Sequence, residues 1–162
     1  MNYKKQVNEI LSRINNSYSN DFEGSYKLAE EAYRLSVNYN YLEGIAKSRR
    51  SQGIILIDKG KVNESIDILK EAYEAAKQVG DVNLITGIIN SIGSANMSIE
   101  NYEIALQFFL TGINILGDTS NIIKARFCLN IGEIYRRLGD FNSAMKYFDQ
   151  LINRDIKEKD AF

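Results

Sequence analysis

Three glycines, Gly53, Gly93 and Gly132, stand 40 and 39 residues apart in a chain of 162 residues, each inside an apolar-periodic segment rather than in a turn. A mid-helix glycine costs roughly 1 kcal/mol against alanine in intrinsic propensity, so three of them at a fixed interval need a packing reason. The columns around them keep step. Nine residues after each stands an apolar side chain, Val62, Tyr102 or Phe141; twelve after each a small one, Ser65, Ala105 or Ala144; sixteen after each a large apolar one, Leu69, Phe109 or Phe148. An internal repeat of this length restricts the fold to a stack of similar units, none of which can bury its apolar face alone.

Each unit reads as two amphipathic helices. In the middle unit Leu84, Ile85, Ile88, Ile89, Ile92, Ala95 and Ile99 recur at helical spacing, and Tyr102, Ala105, Phe109, Ile113 and Leu116 do so again. Short polar turns, Lys59-Gly60-Lys61, Glu100-Asn101 and Gly139-Asp140, separate the halves. Gly80-Asp81 and Gly117-Asp118 separate the units, with Gly expected to supply a left-handed helix end and Asp the next amino-terminal cap. The Ile-rich stretches follow a period near 3.6 and not 2, and the chain has no proline, so the class is all-α. A glycine on the first helix facing Ser or Ala on the second lets two backbones approach closely, while Leu69, Phe109 or Phe148 fills the groove beside them.

The run from Leu129 to Phe148 carries a family resemblance: Gly132, Tyr135, the turn Gly139-Asp140, Ala144 and Phe148 are all in register with a tetratricopeptide repeat. The units at Gly93 and Gly53 resemble it more loosely, with Asn96 and Leu56 in place of Tyr135, Glu100 in place of the turn glycine and Ser65 in place of Ala144. Against the usual period of about 34, the longer spacing implies helices extended by about a turn, a form found in bacterial regulatory proteins. The stretch Asp21 to Tyr33 aligns with the one ending Glu71-Ala72-Tyr73, which adds a degenerate first repeat with Val7, Ile10, Leu11, Ile14 and Tyr18 as its buried stripe. The resemblance implies a right-handed α-solenoid of about four antiparallel helix pairs in a single domain: residues 1–40, 41–80, 81–117 and 118–155, with 156–162 a connector or the start of a further helix. Asp160 stands where a further helix would be capped, and the charged end reads equally as a fragment boundary or a frayed helix.

Composition removes chemistries. With no His there is no imidazole base, no Ser-His or Cys-His pair and no His metal ligand, and no glycine-rich phosphate loop or CxxC appears, so an enzyme, a metal and a cofactor are not expected. The single cysteine, Cys128, cannot form an internal disulfide and reads as a small buried hydrophobe. A net charge of -1 argues against nucleic acid and anionic membranes, even with the cluster Lys47-Ser48-Arg49-Arg50 and the pair Arg136-Arg137. The polar amino terminus and the absence of a long apolar run point to the cytoplasm.

The resemblance places a ligand on the concave face lined by the first helices. Helical geometry selects Lys47, Arg50 and Ser51, then Asn90, Ser91 and Ser94, then Arg126, Asn130, Glu133 and Arg137. Asn offers a donor and an acceptor to a peptide backbone and Arg a fork for a carboxylate, which suits a peptide or protein segment with some acidic character. The clamp by which related repeats hold acidic chaperone tails is broken, because Ile54 and Ser91 occupy its Asn positions and Asn130 its Arg position. The expectation is a non-enzymatic protein-interaction module of a larger cytoplasmic, bacterial regulatory protein. Two alternatives stand beside it: a sensory or scaffolding segment of a signalling enzyme such as a nucleotide cyclase or kinase, and a homodimer formed through the exposed end of the stack.

Overall fold

The computed structural model describes residues 2–17, 21–117 and 122–159. Among these residues there are eight α-helices and no strand: α1 (Tyr3–Ser17), α2 (Phe22–Asn38), α3 (Leu42–Asp58), α4 (Val62–Val79), α5 (Val82–Ser98), α6 (Tyr102–Leu116), α7 (Ile122–Arg137) and α8 (Phe141–Lys159). They pack as four successive pairs, and every helix touches only its own pair and the adjoining ones. None is long and apolar enough to cross a membrane.

Local chemistry sets the ends. Asp81 accepts hydrogen bonds from the backbone N–H groups of Asn83 and Leu84 and so caps α5, while Gly80 closes α4 in the left-handed conformation at φ 77°. Asp21 and Asp140 cap α2 and α8 in the same way, through Gly24 N at 2.8 Å and Ser143 N at 3.0 Å. One expectation needs correction. Gly117 has positive φ but ψ −137°, an extended mirror conformation open to glycine and not the left-handed helical one; its partner Asp118 lies outside the described residues, as do Tyr18 and Asp160. Of the two readings of the charged end, connector or frayed helix, the described residues are helical to Lys159, and no Gly or Pro interrupts the chain between Phe141 and Lys159.

The repeat columns are the seams within each pair. A Cβ added to Gly53 would sit 2.5 Å from Leu69 Cγ; one on Gly93 would enter the Phe109 ring and one on Gly132 the Phe148 ring. Ser65 uses its polarity across the same seam, donating from Oγ to the Gly53 carbonyl at 2.8 Å, where Ala105 and Ala144 simply bury. Tyr135 stacks on Tyr147 at 5.8 Å between centroids and ties α7 to α8.

A second close approach lies between pairs: Gly112 of α6 leaves room for the Phe127 ring of α7, which packs against Phe109 at 6.0 Å. Cores run continuously from α3 to α8, with Leu69, Ile88, Ile92, Phe109, Phe127 and Ile131 fully buried. The amino-terminal pair contributes Val7, Ile10 and Ile14 as the periodicity requires. Of the tyrosines near the first junction, Tyr39 and Tyr41 gather on Tyr3, while Tyr33 lies under the Arg49 guanidinium.

Candidate functional site

The curvature of the stack follows from which helices meet. First helices of successive pairs touch, α1 on α3, α3 on α5 and α5 on α7, whereas among the described residues no two second helices touch. The first helices are therefore crowded on the inside and the second helices spread on the outside, leaving one face of α1, α3, α5 and α7 to line the concave side.

On that face the structure brings together residues that are far apart in sequence. Arg50 of α3 points its Nε at Ser91 Oγ of α5 at 3.4 Å, and Asn130 of α7 donates its amide to Asn90 Oδ1 of α5 at 3.2 Å. Ser91 is buried and also donates to the Gly87 carbonyl at 3.2 Å, which fixes the hydroxyl that faces Arg50. Arg126 is exposed and lies one turn before Asn130 on α7. Burial chiefly pulls the Arg50 pKa below the ordinary guanidinium value, and the charge of Arg126 adds to that effect. Neither arginine has a carboxylate partner among the described residues.

Toward α1 the groove opens into a cleft of about 490 Å³ lined in part by Asn8 and Ser12 of α1, Lys47, Arg50 and Ser51 of α3, and Asp81 of α5. Lys47 lies there paired with Glu43. Ser94 is half-buried further along α5. At the far end of α7, Glu133 accepts from Arg136 Nε at 2.7 Å and from Arg137 Nε at 2.8 Å, and these bonds lower its pKa to about 2. Glu133, Arg136 and Arg137 thus pair with one another along α7, and Arg137 also bonds Tyr102 of α6.

The apparent basic cluster comes apart in three dimensions. Arg49 faces away from Arg50, with its guanidinium 3.8 Å from the Tyr33 ring centroid, paired with Glu71 at 2.7 Å and donating to Gln52 at 3.0 Å. It crosslinks α2, α3 and α4. Ser48 is buried and bonds back to the Gly44 carbonyl at 2.7 Å. Cys128 is buried, burial raises its pKa, and it sits 3.6 Å from Gln150 Oε1. Among the described residues no group of His, Cys, Asp and Glu is placed to hold a metal.

Several contributors to the groove are absent from the sequence-derived set, among them Asp81, Asn8, Ser12 and Gly87. Asn8 and Ser12 belong to the degenerate first repeat, where no column anchors the register. Gly87 stands six residues before Gly93, the position filled by Lys47 and Arg126 in the neighbouring repeats, and that gap in a cationic column is the signal that marks it.

Helix pairs stacked with their first members inward define an α-solenoid of repeated helix-turn-helix units. Residues 125–155 match the family model of the tetratricopeptide repeat, and the chain carries such a repeat there. No curated protein matches this sequence. Among solved structures, a Rap protein complexed with competence and sporulation factor is similar in fold at TM-score 0.87 and 17% identity over 97% of this chain. BtubC from P. vanneervenii is similar at TM-score 0.76 and 16% identity over 85%, and MamA at 0.61 and 14% over 98%. The chain spans 44% of the Rap chain, 58% of BtubC and 91% of MamA.

Proposed function

We propose that this chain is a non-enzymatic module that binds a peptide or an extended protein segment along its concave face, within a larger regulatory protein. The observation that carries the reading is a pair of polar links across three successive first helices, Arg50 to Ser91 and Asn130 to Asn90, by hydrogen bonds spanning 41 and 40 residues of sequence. The Asn130–Asn90 bond uses one amide hydrogen and one lone pair; the Asn90 amide and the Asn130 carbonyl retain the complementary donor and acceptor that a peptide backbone requires. The Rap protein of similar fold is held in complex with a factor. The larger-protein context is supported by the same fold recurring inside longer Rap and BtubC chains.

The test is a synthetic peptide array probed with the purified chain and with an Asn90→Leu, Asn130→Leu double variant. Retention of defined peptides by the parent chain and its loss in the double variant, with helical circular dichroism unchanged, is the expected result. Equal retention by both would move the site off the concave face.

A second reading, self-association through the end of the stack, is favoured by Leu138, Phe141 and Met145, which are 55%, 65% and 55% exposed on the last pair. Light scattering at several concentrations tests it: a mass that stays monomeric throughout contradicts it.

A further inference from the structure

Helix α8 leaves in solvent two side chains whose counterparts in the preceding repeats are packed. Nine and thirteen residues after the repeat glycines stand Val62 and Ile66 of α4, Tyr102 and Leu106 of α6, and Phe141 and Met145 of α8. Val62 and Ile66 are half-buried against a core that α5 completes with Ile88 and Ile92, and Tyr102 and Leu106 against one that α7 completes with Phe127, Ile131 and Ile134. No described helix covers α8 in the same way: Phe141 and Met145 are 65% and 55% exposed, and Leu138 of the preceding turn is 55% exposed. The i,i+4 spacing sets Phe141 and Met145 on one side of the helix. Grouped apolar exposure of this kind marks a contact surface.

Three features select the partner. Nineteen residues after the glycines, Ala72 and Gly112 are small, and the space they leave takes a large side chain from the next first helix. The Phe127 ring enters against Gly112, and Ile88 is buried in one core with Ala72. In α8 that position is Leu151, which fills the space from within, so a first helix of the usual build would overpack it. Two α8 helices laid side by side need no such insertion. The opposite end of the stack is polar, since the exposed side chains described on α1 are Lys4, Lys5, Asn8, Glu9, Ser12 and Arg13. Head-to-tail contact would therefore desolvate charges against Phe141 and Met145. The exposed charges described on α8 itself are Lys146 and Asp149, one of each sign, so two copies meeting there gather no net charge.

We propose that α8 packs on the α8 of a second copy of this chain across a two-fold axis, with Leu138, Phe141 and Met145 in the contact. This deepens the self-association reading and rests on it. A two-fold contact closes at two copies, whereas head-to-tail contact either runs on or closes only as a ring.

The experiment is light scattering of the full chain at several concentrations, on the parent and on Met145→Glu, Met145→Leu and Glu9→Lys. Met145 is more than half exposed, so its variants keep the parent's helical circular dichroism. The parent mass is expected to rise and level off at two copies. Met145→Glu raises the dissociation constant by at least about tenfold, because the contact then buries an unpartnered carboxylate. Met145→Leu, similar in volume, and Glu9→Lys, on the outer side of α1, keep the parent constant within about twofold. A mass that grows past two copies, or a dimer weakened by Glu9→Lys as much as by Met145→Glu, overturns the two-fold contact and leaves self-association standing. A dimer untouched by Met145→Glu overturns this face and likewise leaves self-association standing. A mass that stays monomeric at every concentration overturns self-association and the α8 contact together.

Discussion

At the residue scale, the repeated glycines matter for what lies opposite them. The ring facing Gly93 belongs to Phe109, which is fully buried against Phe127, whereas the ring facing Gly132 belongs to Phe148, which is only half-buried at the end of the stack. A methyl group at Gly93 therefore has no space to push into, while one at Gly132 displaces a ring toward solvent. Gly93→Ala should destabilise by about 2 kcal/mol through overpacking. Gly132→Ala should stay within about 1 kcal/mol of the parent, because the gain in helix propensity offsets the smaller strain. Gly132→Leu exceeds what the ring can yield and should cost at least about 2 kcal/mol. Urea denaturation of the three variants checks the order; equal costs for the two alanine variants would contradict it. Arg49 and Arg50 make the complementary point: adjacent in sequence, they part by about 100° around the helix, one into a crosslink and the other into the groove.

At the element scale the turns decide. The residue closing α5 is followed by Glu100 at φ 62°, in the region that Gly60, Gly80 and Gly139 occupy at three other tight turns and Asn40, at φ 49°, at a fourth. Glu100→Gly should raise stability by about 1 kcal/mol by removing that strain, read as a shift in denaturation midpoint with an unchanged slope. A second element-level effect lies at the end of α7. The Glu133 carboxyl, held at about 2 by Arg136 and Arg137 against an ordinary 4.5, contributes stability that is complete above about pH 4.5 and disappears as pH falls toward 2. In Glu133→Gln the melting temperature should fall less steeply over that acid range, and NMR titration of the parent should find this carboxylate still ionised at pH 3.5. With no histidine in the chain, nothing comparable is expected near pH 6.

At the scale of the whole molecule, contacts only between neighbouring pairs make stability a nearest-neighbour property. Helix α5 is packed by α3, α4, α6 and α7, and its Ile88, Ile89 and Ile92 are fully buried. Helices α1 and α8 are each covered from one side of the stack only. Native-state hydrogen exchange should accordingly find the slowest amides in α5 and progressively faster opening toward α1 and α8; uniform protection from end to end would contradict a one-dimensional stack.

Much of the fold was legible before any coordinate. The 40-residue step, the eight helices, the Asp81 cap and the pairing of Gly53, Gly93 and Gly132 with Leu69, Phe109 and Phe148 all follow from periodicity and from contacts within one hairpin of helices. Such contacts repeat once per unit and so leave a column in the sequence. The hydrogen bonds from Arg50 to Ser91 and from Asn130 to Asn90 across successive first helices were not legible in the sequence. The Gly112–Phe127 approach and the bed that Gly87 makes for Arg50 depend on how one pair is rotated against the next. That rotation is set by side chains meeting across pairs at unrepeated positions, and no single period in the chain encodes it. The sequence by itself determined a stack of helix pairs; only the packing between pairs decided that Arg50 reaches Ser91 and Asn130 reaches Asn90, because those contacts depend on how each pair is set against the next.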